Sequence, residues 1–168
     1  KEILNLNTNK EKLNKLYKDF NTDLNQLYYQ DEHIFHLCCK KDLFHSVVWL
    51  ISNGINLEIE NLEKETAIFY AIRTKGTVIL QILVENGANI NHLNIFNRTA
   101  LQEAVIRANN RIVNYLLQIT RTVSNCDIYG NNLIFDAISN GNIDIIKRIA
   151  SIKEINIMHP AITIIRIQ

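Results

Sequence analysis

The sequence predicts an all-α fold of stacked helix-turn-helix units joined by hairpin-like loops. Three observations carry this expectation: a segment that recurs about every 33 residues, an apolar stretch of helical spacing after each copy, and glycines where those stretches end.

The recurring segment reads EHIFHLC from Glu32, TAIFYAI from Thr66, TALQEAV from Thr99 and NLIFDAI from Asn132. The starting positions lie 34, 33 and 33 residues apart. Each copy is followed by a polar break and a second apolar stretch: Val47–Ile51, Ile79–Val84, Ile112–Leu117 and Ile145–Ala150. In the last three, apolar residues recur at i, i+1 and i+4, the stripe a helix needs to bury one face. Gly54 and Gly87 then stand where a helix closes in a left-handed residue, and Gly130 stands in a tight turn ahead of the fourth copy.

These residues together resemble the ankyrin repeat family, whose motif runs T-P-L-H-x-A-A, a turn glycine, I-V-x-x-L-L, then G-A-D-V-N. Thr66, Ala71, Leu83, Gly87, Ala88, Asn89, Ile90 and Asn91 fall on that pattern. Thr99, Leu101, Ala104, Ile112, Val113, Leu116 and Leu117 follow it, as do Asp127, Gly130, Ala137, Gly141, Ile145 and Ile146. The resemblance implies an ankyrin-repeat solenoid with four repeats at about 29–61, 62–94, 95–127 and 128–157. Residues 1–28 read as a capping half repeat, with Leu13, Leu16, Tyr17 and Phe20 on one helical face. Residues 158–168 read as either a C-terminal cap or a truncated fifth repeat.

Departures from the motif are informative. The family's proline is replaced by His33, Ala67, Ala100 and Leu133, and its histidine by Phe35, Phe69, Gln102 and Phe135. The threonine-to-histidine hydrogen bond is therefore expected to give way to apolar packing. Ser46 stands where an aliphatic side chain belongs, and Trp49 is expected on the outer side of its helix, partly packed.

Little in the composition points to chemistry. A formal net charge of +1 calls for neither nucleic acid nor an acidic membrane. The three cysteines, Cys38, Cys39 and Cys126, form a poor disulfide framework and suit a reducing, intracellular and cytoplasmic setting. His33, His36, Cys38, Cys39 and His45 form the densest cluster of reactive residue types. Zinc needs four converging ligands, and Cys39 points about 100° around the helix from Cys38. Ordinary packing is the expectation, with no metal, no cofactor and no catalytic residue. Phosphate-loop, dinucleotide and zinc-protease motifs are missing from the sequence. Lys40, Lys41 and the Lys10–Lys18 stretch read as solvated faces, and the Ile-rich tail lacks the basic face of a membrane-surface helix.

The resemblance implies a scaffold that binds another protein through hairpin tips and the concave face of the first helices, with no small-molecule substrate. Carried over by position, the tips include Phe96, Arg98 and Tyr129. The inner helices offer Tyr70, Arg73, Glu103, Arg107 and Asp136. Aromatic and arginine side chains are the usual anchors of such interfaces. The chain opens on Lys1 rather than Met and stops in an apolar run. A second reading is therefore a docking or targeting segment of a larger enzyme, toxin or secreted effector, acting in the last case inside a host cell.

Overall fold

The computed structural model describes residue 11 and residues 23–74, 77–120 and 126–152. The expected N-terminal cap face, Leu13 to Phe20, and the 158–168 tail lie outside the described residues. The chain divides into two compact units between Asn89 and Ile90.

In the first unit a 3-10 turn, Leu24–Gln26, is capped by Asp23, whose side chain accepts from the Asn25 N–H at 2.9 Å. A small hairpin follows, β1 (Tyr28–Tyr29) paired antiparallel with β2 (Glu32–His33). Its loop residues Gln30 and Asp31 have φ of 53° and 61°, the two-residue turn whose twist suits a hairpin. Helix α1 (Ile34–Lys40) starts on His33, whose Nδ1 accepts from the Phe35 N–H at 3.1 Å. Helices α2 (Phe44–Ser52), α3 (Ala67–Ala71) and α4 (Val78–Glu85) complete the unit. Helix α1 packs on α2 and α3, and α4 packs on α2 and α3.

Gly54 and Gly87 do adopt φ of 80° and 89° at the ends of α2 and α4. A Cβ at either would meet nothing within 4 Å, so the requirement for glycine is conformational and not steric. Past each glycine the chain folds back, with the Ile55 N–H on Leu50 O at 3.2 Å and the Ala88 N–H on Leu83 O at 3.0 Å. Phe35, Phe69, Leu50, Leu80 and Leu83 are fully enclosed, each contributing about 1.5–3 kcal/mol by burial.

One expectation for this unit needs correction. Trp49 is only 3% exposed. The buried arc of α2 is wider than a narrow stripe, taking in Ser46, Val47, Trp49 and Leu50, and so it encloses the indole. Cys39 is as buried as Cys38, because α1 is covered on most of its circumference. Two side chains also tie consecutive segments together, each by a bond to a backbone N–H 31 residues on. Asn25 Oδ1 accepts from the Asn56 N–H, and Glu58 Oε1 from the Asn89 N–H, both at 2.8 Å.

The second unit holds α5 (Ala100–Ile106), α6 (Asn110–Ile119), α7 (Leu133–Ser139) and α8 (Ile143–Ala150). Helix α5 packs on α6 and α7, and α7 on α8, around Leu101, Ala104, Ile112, Leu116, Ala137 and Ile149. Asn109, Asn132 and Asn142 cap α6, α7 and α8 through their side chains. Further links join the two helix pairs: Asn140 Nδ2 donates to Val105 O at 2.6 Å, and Arg148 Nη1 to Asn114 Oδ1 at 2.7 Å.

The threonines that open α3 and α5 have different surroundings. Thr99 and Gln102 form a reciprocal capping box, each side-chain oxygen accepting from the other's N–H at 3.3 Å. Gln102, which stands at the family's histidine position, thus bonds its threonine within the start of the same helix. At Thr66 the third residue on is Phe69, which packs in the core, and Thr66 Oγ1 is buried without a partner. Phe35 and Phe69 provide the expected apolar packing, whereas Phe135 is half-buried. Thr99→Ala is expected to lower stability by about 1 kcal/mol. Thr66→Ala should be neutral or slightly stabilising, since it removes an unsatisfied hydroxyl. Urea midpoints of the two variants check this, and an equal loss in both would contradict it.

Candidate protein-binding surface

Three of the hairpin tips are each organised by one side chain at the root. Asn61 Oδ1 accepts from the N–H groups of Glu63 and Glu65, both at 2.8 Å. Asn94 Oδ1 accepts from Phe96 and Arg98 at 3.0 and 3.1 Å, and Asp127 Oδ1 from Tyr129 and Asn131, both at 2.9 Å. The root residue's own N–H closes the loop on the carbonyl four residues on, in all three tips. Lys64, Asn97 and Gly130 supply the left-handed residue, with φ of 55°, 58° and 79°. Asn61 and Asn94 were not singled out from the sequence. Their signal was the same spacing of 33 that relates them to Asp127.

The tips hold apolar side chains out in solvent. Leu62, Ile95 and Ile128 occupy one equivalent position and are all exposed, as is Tyr129 at 66%. Phe96 is half-buried.

In the first unit, Tyr70 is buried on α3, its ring stacked on His36 with centroids 4.6 Å apart and its hydroxyl accepting from Asn61 Nδ2 at 3.0 Å. Arg73 lies 5.3 Å from the centre of the Tyr70 ring and pairs with Glu65. His36 Nε2 is 2.9 Å from Ile59 O. Burial, reinforced by the neighbouring His33 and opposed by the Ile59 contact, pushes the His36 imidazole down to about 4. Tyr70 is therefore set beneath the surface as a support for Arg73.

In the second unit Arg98 joins two tips. Its Nε and Nη2 donate to Asp127 Oδ2 at 3.0 and 2.7 Å, and its Nη1 lies 3.5 Å from Glu103 Oε1. The guanidinium is also 5.5 Å from the Phe96 ring centre and 5.9 Å from that of Tyr129. Backbone links run beside it: Ile128 N–H to Phe96 O at 3.0 Å, and Asn97 Nδ2 to Cys126 O at 2.7 Å. Burial alone would raise the Asp127 carboxyl, but the bonds from Arg98, Asn131 and Tyr129 outweigh it and hold the group below the usual range. Arg107, the residue that follows α5, is exposed and reaches Glu103 at 3.4 Å. Glu103 and Asp136 are buried. Of the residues singled out from the sequence, Tyr129, Arg107 and Arg73 thus face solvent, while Arg98 and Phe96 lie at the edge. Tyr70, Glu103 and Asp136 lie beneath.

Two overlapping stretches, residues 3–94 and 77–160, match the family model described as ankyrin repeats in three copies. The chain belongs to the ankyrin repeat family. No curated protein matches it. Ankyrin-repeat domains are non-catalytic scaffolds that generally mediate protein-protein interaction, so the arrangement is read for recognition. Burial pushes the Cys38 thiol of this ankyrin domain up to about 12 and raises that of Cys39 well above its ordinary value, which makes both poor nucleophiles. Among the described residues no three His, Cys, Asp or Glu side chains gather to hold a metal ion, and no helix is long and apolar enough to cross a membrane.

Proposed function

We propose that this ankyrin domain recognises a partner protein through its hairpin tips and the inner face of its first helices, with Phe96, Arg98 and Tyr129 at the tips and Arg73 and Arg107 just past the ends of the helices as the contacting residues. Tyr70 and Glu103 act from beneath by holding those arginines, and Asp136 contributes negative charge beside them. The main support is the exposure of Leu62, Ile95, Ile128 and Tyr129 on loops whose backbone is fixed from within. Large apolar groups on a pre-ordered loop can be buried by a partner with little loss of conformational entropy. The three free thiols suit an intracellular setting.

The test begins with affinity capture on the full chain and purification of the partner it yields. Phe96→Ala, Arg107→Glu and Arg73→Glu should each weaken that partner's binding about tenfold or more, the range of an interface anchor. Lys147→Ala on α8 should leave it unchanged. Undiminished binding by all three tip and inner-helix variants overturns this surface.

A further inference from the structure

One carboxylate in the second unit has no answering group among the described residues. Asp136 is 7% exposed, and its Oδ2 is shut away without a hydrogen-bond partner. The charged groups that act on it are Asp127, Arg98 and Glu103. Arg98 is already engaged by Asp127 and Glu103, and Arg107 by Glu103. Two guanidinium groups set against three carboxylates leave one negative charge over, and the bonding pattern leaves it on Asp136. Asp136 and Glu103 hold the same position on α7 and α5, 33 residues apart on helices that pack together. A buried carboxylate without a partner weakens a fold, and either a proton or an external cation relieves it.

We propose that the Asp136–Glu103 pair receives a lysine or arginine side chain from the partner protein, so that the recognised segment is basic. The inference rests on the protein-binding reading above and specifies the partner's chemistry. Charge complementarity identifies the occupant, since the pair carries an uncompensated negative charge. A side-chain cation suits it better than a metal ion, because the carboxylates do not gather as a chelating group among the described residues. The exposed ring of Tyr129, joined to the cluster through Arg98, offers a flat apolar wall for the aliphatic stem of a long basic side chain.

A random dodecapeptide library displayed on phage, selected against the full chain, provides the probe. Selected peptides that compete with one another are synthesised and their affinities measured for the wild type, Asp136→Asn and Glu103→Gln. The expected result is that each carries a lysine or arginine whose replacement by alanine weakens binding at least tenfold. Asp136→Asn should weaken the same peptides by a similar factor while melting at the same or a higher temperature, so that lost binding is not lost fold. Wild-type affinity should also fall as the pH drops below about 6, where Asp136 takes up a proton. Peptides that lack a basic residue, or that bind Asp136→Asn and Glu103→Gln within twofold of wild type, overturn the inference and leave the protein-binding reading standing. A selection that yields no binder counts against both.

Discussion

Asp127→Ala should destabilise the second unit by about 3 kcal/mol, the scale on which a buried ion pair is broken from one side. The Asp127 side chain has no exposed surface, and its two oxygens serve different purposes. Oδ1 fixes the tip through Tyr129 and Asn131, while Oδ2 holds Arg98 against the neighbouring tip. Alanine removes both functions and leaves a largely buried guanidinium with only the longer contact to Glu103. Asp127→Asn keeps the tip, as Asn61 and Asn94 do at the equivalent positions, and loses only the charge. Its expected cost is about 1–2 kcal/mol. Urea unfolding of the two variants tests the order, and Asp127→Ala costing less than about 1 kcal/mol would show that the tip is held by something else.

Mild acid should act on the two units in opposite directions. His36 titrates near 6.5 when unfolded and at about 4 in the fold, with burial the main cause. Its contribution is therefore complete above pH 6.5 and lost as the pH falls toward 4, a difference of about 3 kcal/mol. His33, also lowered by burial, adds to the same loss. Asp136 has the reverse sign, rising from 3.8 to about 6 through burial and the nearby Asp127 and Glu103. Its penalty is present above pH 6 and is relieved as the pH falls toward 3.8, again by about 3 kcal/mol. Hydrogen exchange between pH 7 and 5, corrected for intrinsic rates, should show protection falling in α1 and α2 and rising in α7 and α8. Asp136→Asn should abolish the rise. Parallel responses in both units would refute the assignment of these two groups.

Much of the architecture was legible because it follows from periodicity. The paired helices and their glycine ends at Gly54 and Gly87 each rest on spacing that a single sequence displays. What escaped notice depended on partners distant in the chain. Nothing near Arg98 in sequence points to Asp127, 29 residues away, as its acceptor. Tyr70 reads as a surface aromatic until His36, on another helix, is stacked against it. Asn61 and Asn94 were obscured for a different reason, since asparagine is abundant throughout the chain and only their register with Asp127 sets them apart. Trp49 was misjudged because helix periodicity gives the direction of the buried face and leaves its width undetermined.

The tip roots also bear on how such a surface can change. At each of the three tips one oxygen atom, two N–H groups and one left-handed residue hold the loop, and none of these belongs to the side chains pointing outward. The pairs Leu62 and Glu63, Ile95 and Phe96, and Ile128 and Tyr129 can therefore be exchanged between tips, or replaced, with little effect on the backbone that carries them. Shape and specificity are inherited separately here, so a lineage can acquire a new partner by substitutions that leave folding almost untouched.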